Sequence, residues 1–164
     1  ATSRVVESGD LLAFDTDMIG PAGFCADVSR TWLCGDDSPT DEQRRLYVAA
    51  YTEVHENLGL VRAGAALSEL TIRRYKQAPE FVQNRYPCLA HGVGLSDEYP
   101  VVFYREDFPV NGYDCELRAN SVLCVESYVG AEGGKQGVKL EQQVLVTGSG
   151  YELLSQYPLE THWL

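Results

Sequence analysis

Short β-rich runs open and close this chain, and a helical repeat of apolar positions lies between them. Residues 5–35, VVESGDLLAFDTDMIGPAGFCADVSRTWLCG, read as a β-hairpin. Ser8-Gly9-Asp10 is a turn, 11–17 a strand, Gly20-Pro21-Ala22-Gly23 a loop and 24–33 the return strand. Pro39 and Thr40 then announce a helix, with Thr40 as N-cap and Gln43 as its capping-box partner. Leu46, Ala49, Ala50 and Val54 form its apolar stripe, and Gly59 ends it. A second helix opens near Ser68 and Glu69 and runs toward Asn84, broken or kinked at Pro79. After Pro87, SVLCVESYVG and GVKLEQQVLVT read as strands separated by the glycine-rich AEGGKQG. This order predicts an α+β domain whose helices cover one face of a curved antiparallel sheet.

Composition narrows the function classes. With 164 residues, 45% hydrophobic and 23% charged, the chain is an ordinary globular domain with a sizeable core. A net charge of −11 excludes nucleic acid as a partner, because phosphate contacts need clustered Lys and Arg. No apolar run reaches membrane-spanning length, and ATSRVVESGD carries no signal-peptide hydrophobic region. Five cysteines without a small-scaffold spacing read as free thiols of a reducing, cytoplasmic location. The almost immediate entry into a strand reads as the C-terminal portion of a longer protein, truncated on its N-terminal side.

The chemistry lies in the acids. Asp15 and Asp17 are two apart on a predicted strand, so both should leave one face, with Asp27 across the hairpin. Glu126 (CVESY) and Glu141 (KLEQQ) sit mid-strand among apolar neighbours, where an unpaired charge is costly and calls for a cation or a donor network. His91, in AHGVGLSDEYP, adds an imidazole. Six residues, oxygen-rich with one nitrogen, suit manganese, iron, cobalt or zinc better than a thiolate site does. Singly, each has an ordinary explanation, an edge-exposed acid or a satisfied histidine; the combination points to metal.

The order Asp, Asp, His, Glu, Glu, carried by CADVSRTW, AHGVG, VLCVES and GVKLEQQVLVT, resembles the pita-bread metallopeptidase family of methionine aminopeptidase, aminopeptidase P, prolidase and creatinase. SPTDEQRRLY and GSGYELLS are similar to that family's connecting helix and closing strand, so the likeness covers almost the whole chain. It implies that residues 1–164 form the C-terminal catalytic domain, without the N-terminal creatinase-like domain, and that the protein pairs as a homodimer.

Two departures matter. Where the peptidases place their first metal aspartate this chain has Thr16, flanked by Asp15 and Asp17. Where they carry a second histidine, HGVGLSDEYP has Asp97; a smaller change puts Glu126-Ser127-Tyr128 in place of Glu-Pro-Gly. A fifth carboxylate makes the metal less electrophilic, and an ionised Asp97 accepts protons but donates no hydrogen bond to an oxyanion. Such a site suits general-base chemistry.

The pattern resembles the dimethylsulfoniopropionate lyases built on the creatinase-like fold. That resemblance implies metal ligands Asp15, Asp17, Asp27, His91, Glu126 and Glu141, with two ions and iron as the metal. It implies Asp97 as the base, Tyr86 as a substrate-pocket aromatic and a small sulfonium carboxylate as substrate. The expected reaction is β-elimination to dimethyl sulfide and acrylate. The alternatives are an Xaa-Pro metallopeptidase with a variant dinuclear site and a binding module without catalysis.

Overall fold

The computed structural model describes residues 3–164. The N-terminal hairpin forms as two short ladders in one continuous register. Strand β1 (Leu11–Phe14) pairs with β4 (Arg30–Leu33), and β2 (Met18–Ile19) pairs with β3 (Cys25–Ala26). The expected strands over 11–17 and 24–33 are therefore interrupted at 15–17 and 27–29. Side-chain oxygens there take bonds that a ladder would give to carbonyls. The Val28 N–H donates to Thr16 Oγ1 at 2.9 Å, and the Asp17 N–H to Asp27 Oδ1 at 3.4 Å.

Helix α1 (Asp41–Leu58) starts as its sequence dictates, with both halves of the Thr40–Gln43 capping box formed. Gly59 ends it with right-handed dihedrals and donates to His55 O. The second helical stretch is interrupted, but ahead of Pro79 and not at it: α2 (Leu67–Arg73) stops first, and Pro79 instead opens α3 (Pro79–Val82) in its first turn. A further turn, α4 (Phe108–Asn111), lies between strands.

The main sheet has five antiparallel strands in the order β6 (Val101–Phe103), β5 (Cys88–Gly92), β7 (Val122–Val129), β8 (Val138–Val146) and β9 (Tyr151–Leu153). Leu46, Tyr47, Ala50, Val54 and Leu58 of α1 join Leu123, Val125, Val129, Leu140 and Val144 of β7 and β8 in one buried core. With a period of two, Cys124 and Glu126 of β7, and Lys139 and Glu141 of β8, leave by the opposite face. Glu53 is the charged exception in the apolar stripe, where Gln43 and Asn57 are buried too. It is buried on α1, and accepts from Ser127 Oγ at 2.5 Å and Tyr104 Oη at 3.3 Å, and from Gln77 Nε2. Burial raises its pKa.

Gly92 closes β5 against the chain that returns from the 93–100 loop. A Cβ there would lie 2.2 Å from Tyr99 O and 2.4 Å from Pro100 Cδ. Gly92→Ala should therefore destabilise the fold by about 1–3 kcal/mol, seen as a lowered midpoint in urea unfolding. Gly94, by contrast, has open space around its Cα; its carbonyl accepts from Cys25 N at 2.6 Å and ties the loop to β3.

Candidate metal centre

The hairpin break and the polar face of the main sheet meet at one cluster. Register places Glu126 directly opposite Glu141 on β7 and β8, and both are fully buried. Like charges facing each other across strands are destabilising, so this pair needs a cation between or beside it. His91, on β5 opposite Cys124, points Nε2 into the gap. That nitrogen is 3.2 Å from Glu141 Oε1, 3.4 Å from Glu126 Oε1 and 3.7 Å from Asp27 Oδ2. Asp15 joins from the hairpin break: Ser29 Oγ lies 2.5 Å from Asp15 Oδ1 and 2.9 Å from Glu141 Oε2 and links the two.

Ligand atoms of Asp15, Asp27 and Glu141 lie within 4.8 Å of one another, as do those of Asp27, His91 and Asp97, and of His91, Cys124 and Glu141. Glu141 Oε1 is the one buried carboxylate oxygen among the described residues without a hydrogen-bond partner. An oxygen-rich set with one imidazole and an unsatisfied acceptor aimed inward fits a divalent cation.

Asp17 departs from the expectation. It has φ +38°, in the left-handed region, so it does not continue a strand and does not share the face of Asp15. It meets Asp27 through its backbone N–H, and its side chain is exposed.

Electrostatics follow from crowding acids in a poorly solvated place. Burial, with the charges of Glu141 and Asp15, pushes Asp27 up to about 8. Burial also pushes Glu126 up to about 7, with Glu141 adding to it and Lys139 opposing. His91 is lowered by burial, but the neighbouring Glu141 and Glu126 outweigh this and raise it to about 9. For Asp15 burial is outweighed by the Ser29 hydrogen bond and the charge of Lys139, which hold it below its ordinary value.

The shifts of Asp27, Glu126 and His91 share one sign, and Asp15 opposes them. Unfolded, the carboxylates ionise near pH 4, whereas in the native chain Asp27 and Glu126 keep protons up to about 8 and about 7. Native protein therefore binds more protons than unfolded protein across that window, and stability falls as pH rises. The stabilisation from His91 is complete below its unfolded value of 6.5 and is lost as pH rises through about 9. A divalent ion held by the same oxygens would compete with those protons. Chelated protein should lose several degrees more of melting temperature between pH 5 and pH 9 than manganese-loaded protein. Thermal unfolding followed by circular dichroism checks this, and parallel pH profiles would contradict it.

Asp97 reaches the other side of His91. The 93–100 loop folds back on Gly92, with the Gly92 N–H donating to Pro100 O at 2.7 Å, and this brings Asp97 Oδ1 to 3.8 Å from His91 Nδ1. The next residue, Glu98, is left-handed at φ +55°; its N–H donates to Asp97 Oδ1 at 3.1 Å, and its carboxylate accepts from Tyr86 Oη at 3.0 Å. Two successive acids thus have separate jobs: Asp97 faces the histidine and Glu98 anchors Tyr86. The other histidines lie elsewhere, His55 stacked on Tyr51 of α1 and exposed His162 paired with Glu160.

Sequence reasoning missed Lys139. Its ammonium donates to Asp15 Oδ2 at 3.1 Å and to Glu126 Oε2, and sits over the Tyr86 ring, 3.9 Å from its centroid. The ring face expected to meet a substrate cation thus carries one of the protein's own. A period-two reading of KLE, which puts Lys139 on the face of Glu141, would have found it; the same reading pairs Ser29 with Asp27 and Cys124 with Glu126.

Residues 1–148 match the sequence model of metallopeptidase family M24. The chain belongs to that family. Among M24 structures, it resembles an X-Pro aminopeptidase from Thermotoga maritima at 27% identity and a TM-score of 0.77, over 96% of this chain and 42% of that one. An Xaa-Pro dipeptidase from Bacillus anthracis matches at 24% identity and a TM-score of 0.81, over 97% and 42%. The fold is therefore the pita-bread fold, as expected. Among curated M24 relatives, dimethylsulfoniopropionate lyase DddP of Roseovarius nubinhibens is 40% identical over 96% of this chain, and that of Roseobacter denitrificans 36% over the same share. The chain spans 35% of the length of those two relatives. No helix among the described residues is long and apolar enough to cross a membrane.

Proposed function

We propose that this M24 chain carries the catalytic centre of a metal-dependent carbon–sulfur lyase that cleaves dimethylsulfoniopropionate to dimethyl sulfide and acrylate. The observation that carries the reading is Asp97 Oδ1 at 3.8 Å from His91 Nδ1, an acceptor placed beside the cluster where the family's peptidases have a histidine. The similarity to two proteins named as such lyases supports it. Asp15, Asp27, His91, Glu126 and Glu141, with Asp17 at the rim, would hold the metal; iron and two ions are the proposed content. When bound, that metal holds the substrate carboxylate and makes its α-hydrogens more acidic. Asp97 takes one of those hydrogens as a proton. The electron pair left on the α-carbon forms the double bond of acrylate, and the β-carbon–sulfur bond breaks with its electrons leaving on dimethyl sulfide. The substrate would be a small sulfonium carboxylate, with Tyr86 as one wall of its pocket. A homodimeric, cytoplasmic protein is part of the same proposal.

The alternative of an Xaa-Pro peptidase is kept by the two solved relatives named for that substrate class. The full-length protein, metal-loaded, should release dimethyl sulfide into the headspace from dimethylsulfoniopropionate and leave an Xaa-Pro dipeptide intact. Proline release without sulfide would return the site to peptide hydrolysis.

A further inference from the structure

We propose that Lys139 is the resident cation of this site, which keeps the carboxylate cluster assembled when no divalent ion is bound and lowers the affinity of the cluster for one. The inference rests on reading the cluster as a divalent-metal site. The Lys139 side chain is only 8% exposed, and its ammonium ties together three separate segments: Asp15 from the hairpin break, Glu126 from β7 and the Tyr86 ring ahead of β5. The other buried cation nearby, Arg30, spends its guanidinium on oxygens outside the cluster's carboxylates. It donates to the backbone carbonyls of Ser29, Glu141 and Tyr157 and to the side-chain amide of Gln142. Among the described residues, Lys139 alone pairs a fixed positive charge with the carboxylates of this cluster.

The oxygens divide between the two kinds of cation. Lys139 takes Asp15 Oδ2 and Glu126 Oε2, while Glu126 Oε1 and Glu141 Oε1 turn toward His91 Nε2. An ammonium and a divalent ion can therefore be held together, but the fixed charge weakens the attraction the same carboxylates exert on the ion. It also matches the extra negative charge that five carboxylates, Asp15, Asp17, Asp27, Glu126 and Glu141, leave over against two divalent ions. Without it, Asp15 and Glu126 would lose their fixed cation, and the facing pair Glu126 and Glu141 would have only His91 beside it.

The test uses the full-length protein and manganese as the probe, with affinity read by chelator competition and stability by thermal unfolding in EDTA and in saturating manganese. Lys139→Met should bind manganese at least about tenfold more tightly than wild type, and its loss of melting temperature should be several degrees larger in EDTA than in manganese. Unchanged or weaker affinity, or equal losses in both conditions, overturns the proposal. A Lys139→Met protein that folds only with manganese supports it. If that variant folds in neither condition, Lys139→Arg decides: affinity within about threefold of wild type sustains the charge argument, and a tenfold change refutes it. Wild-type protein that binds no manganese would instead overturn the reading of the cluster itself, so the two failures are distinguishable.

Discussion

Asp97→Asn should cut dimethyl sulfide release by about 10²–10⁴-fold while bound metal and melting temperature stay near wild type. The substitution keeps the size and one acceptor oxygen for the Glu98 N–H, and removes the negative charge and the ability to take a proton. The selective loss follows from where Asp97 sits. Its carboxylate is held by the Glu98 N–H at 3.1 Å and lies on the Nδ1 side of His91, while Nε2 faces Glu141, Glu126 and Asp27. Asp97 is also partly exposed, with 26% of its side chain open to solvent, so an incoming substrate can reach it. Paired measurements on the same preparation, headspace sulfide and metal per chain by elemental analysis, separate a lost base from a lost ligand. Sulfide release at the full rate would assign proton removal to another group, and loss of metal would make Asp97 a ligand.

The second large effect is expected from His91→Ala, which should reduce divalent metal bound after desalting to less than about a tenth of wild type. Loss of an outer-shell partner costs about 10–100-fold in metal affinity, and removal of a ligand should cost more. His91 is buried to 1% exposure and supplies the one imidazole within 4 Å of Asp27, Glu126 and Glu141. Its removal leaves those carboxylates facing one another with less positive charge nearby, so the variant should also melt lower, by more at pH 6, where the His91 contribution is complete, than at pH 9, where it is being lost. His162→Ala, exposed and distant, is the matched control and should retain metal. Full metal content in His91→Ala would remove His91 from the ligand set.

Legibility in the sequence followed the range of the interactions. The α1 capping box needs only Thr40 and Gln43, three residues apart, and it forms where the sequence places it. Pro79 opens α3 in the first helical turn, where a proline ring's missing N–H costs nothing, although α2 had already ended at Arg73. The antiparallel sheet, the α+β class and the family resemblance were likewise readable from strand patterning and from short motifs in a fixed order. Those motifs named the residues that the fold brings into the cluster: Asp15, Asp27, His91, Glu126, Glu141 and Asp97.

What the sequence left open was geometry between segments far apart in the chain. Period two predicted that Asp15 and Asp17 share a face, but Thr16 and Asp27 side chains capture backbone N–H groups and interrupt the hairpin, so the two aspartates part. Lys139 went unnoticed in the sequence; the register of β7 and β8, and the approach of the hairpin, set it between Asp15 and Glu126. Tyr86 was an aromatic available to any cation, and packing brought it an internal one. By itself, then, the sequence determined the elements, the family and the identity of the acids, because capping, strand period and residue chemistry act locally. Only the tertiary structure decided which carboxylates hold their protons to higher pH, which one faces the histidine and which cation balances them, because Coulomb interactions depend on distances that only folding sets.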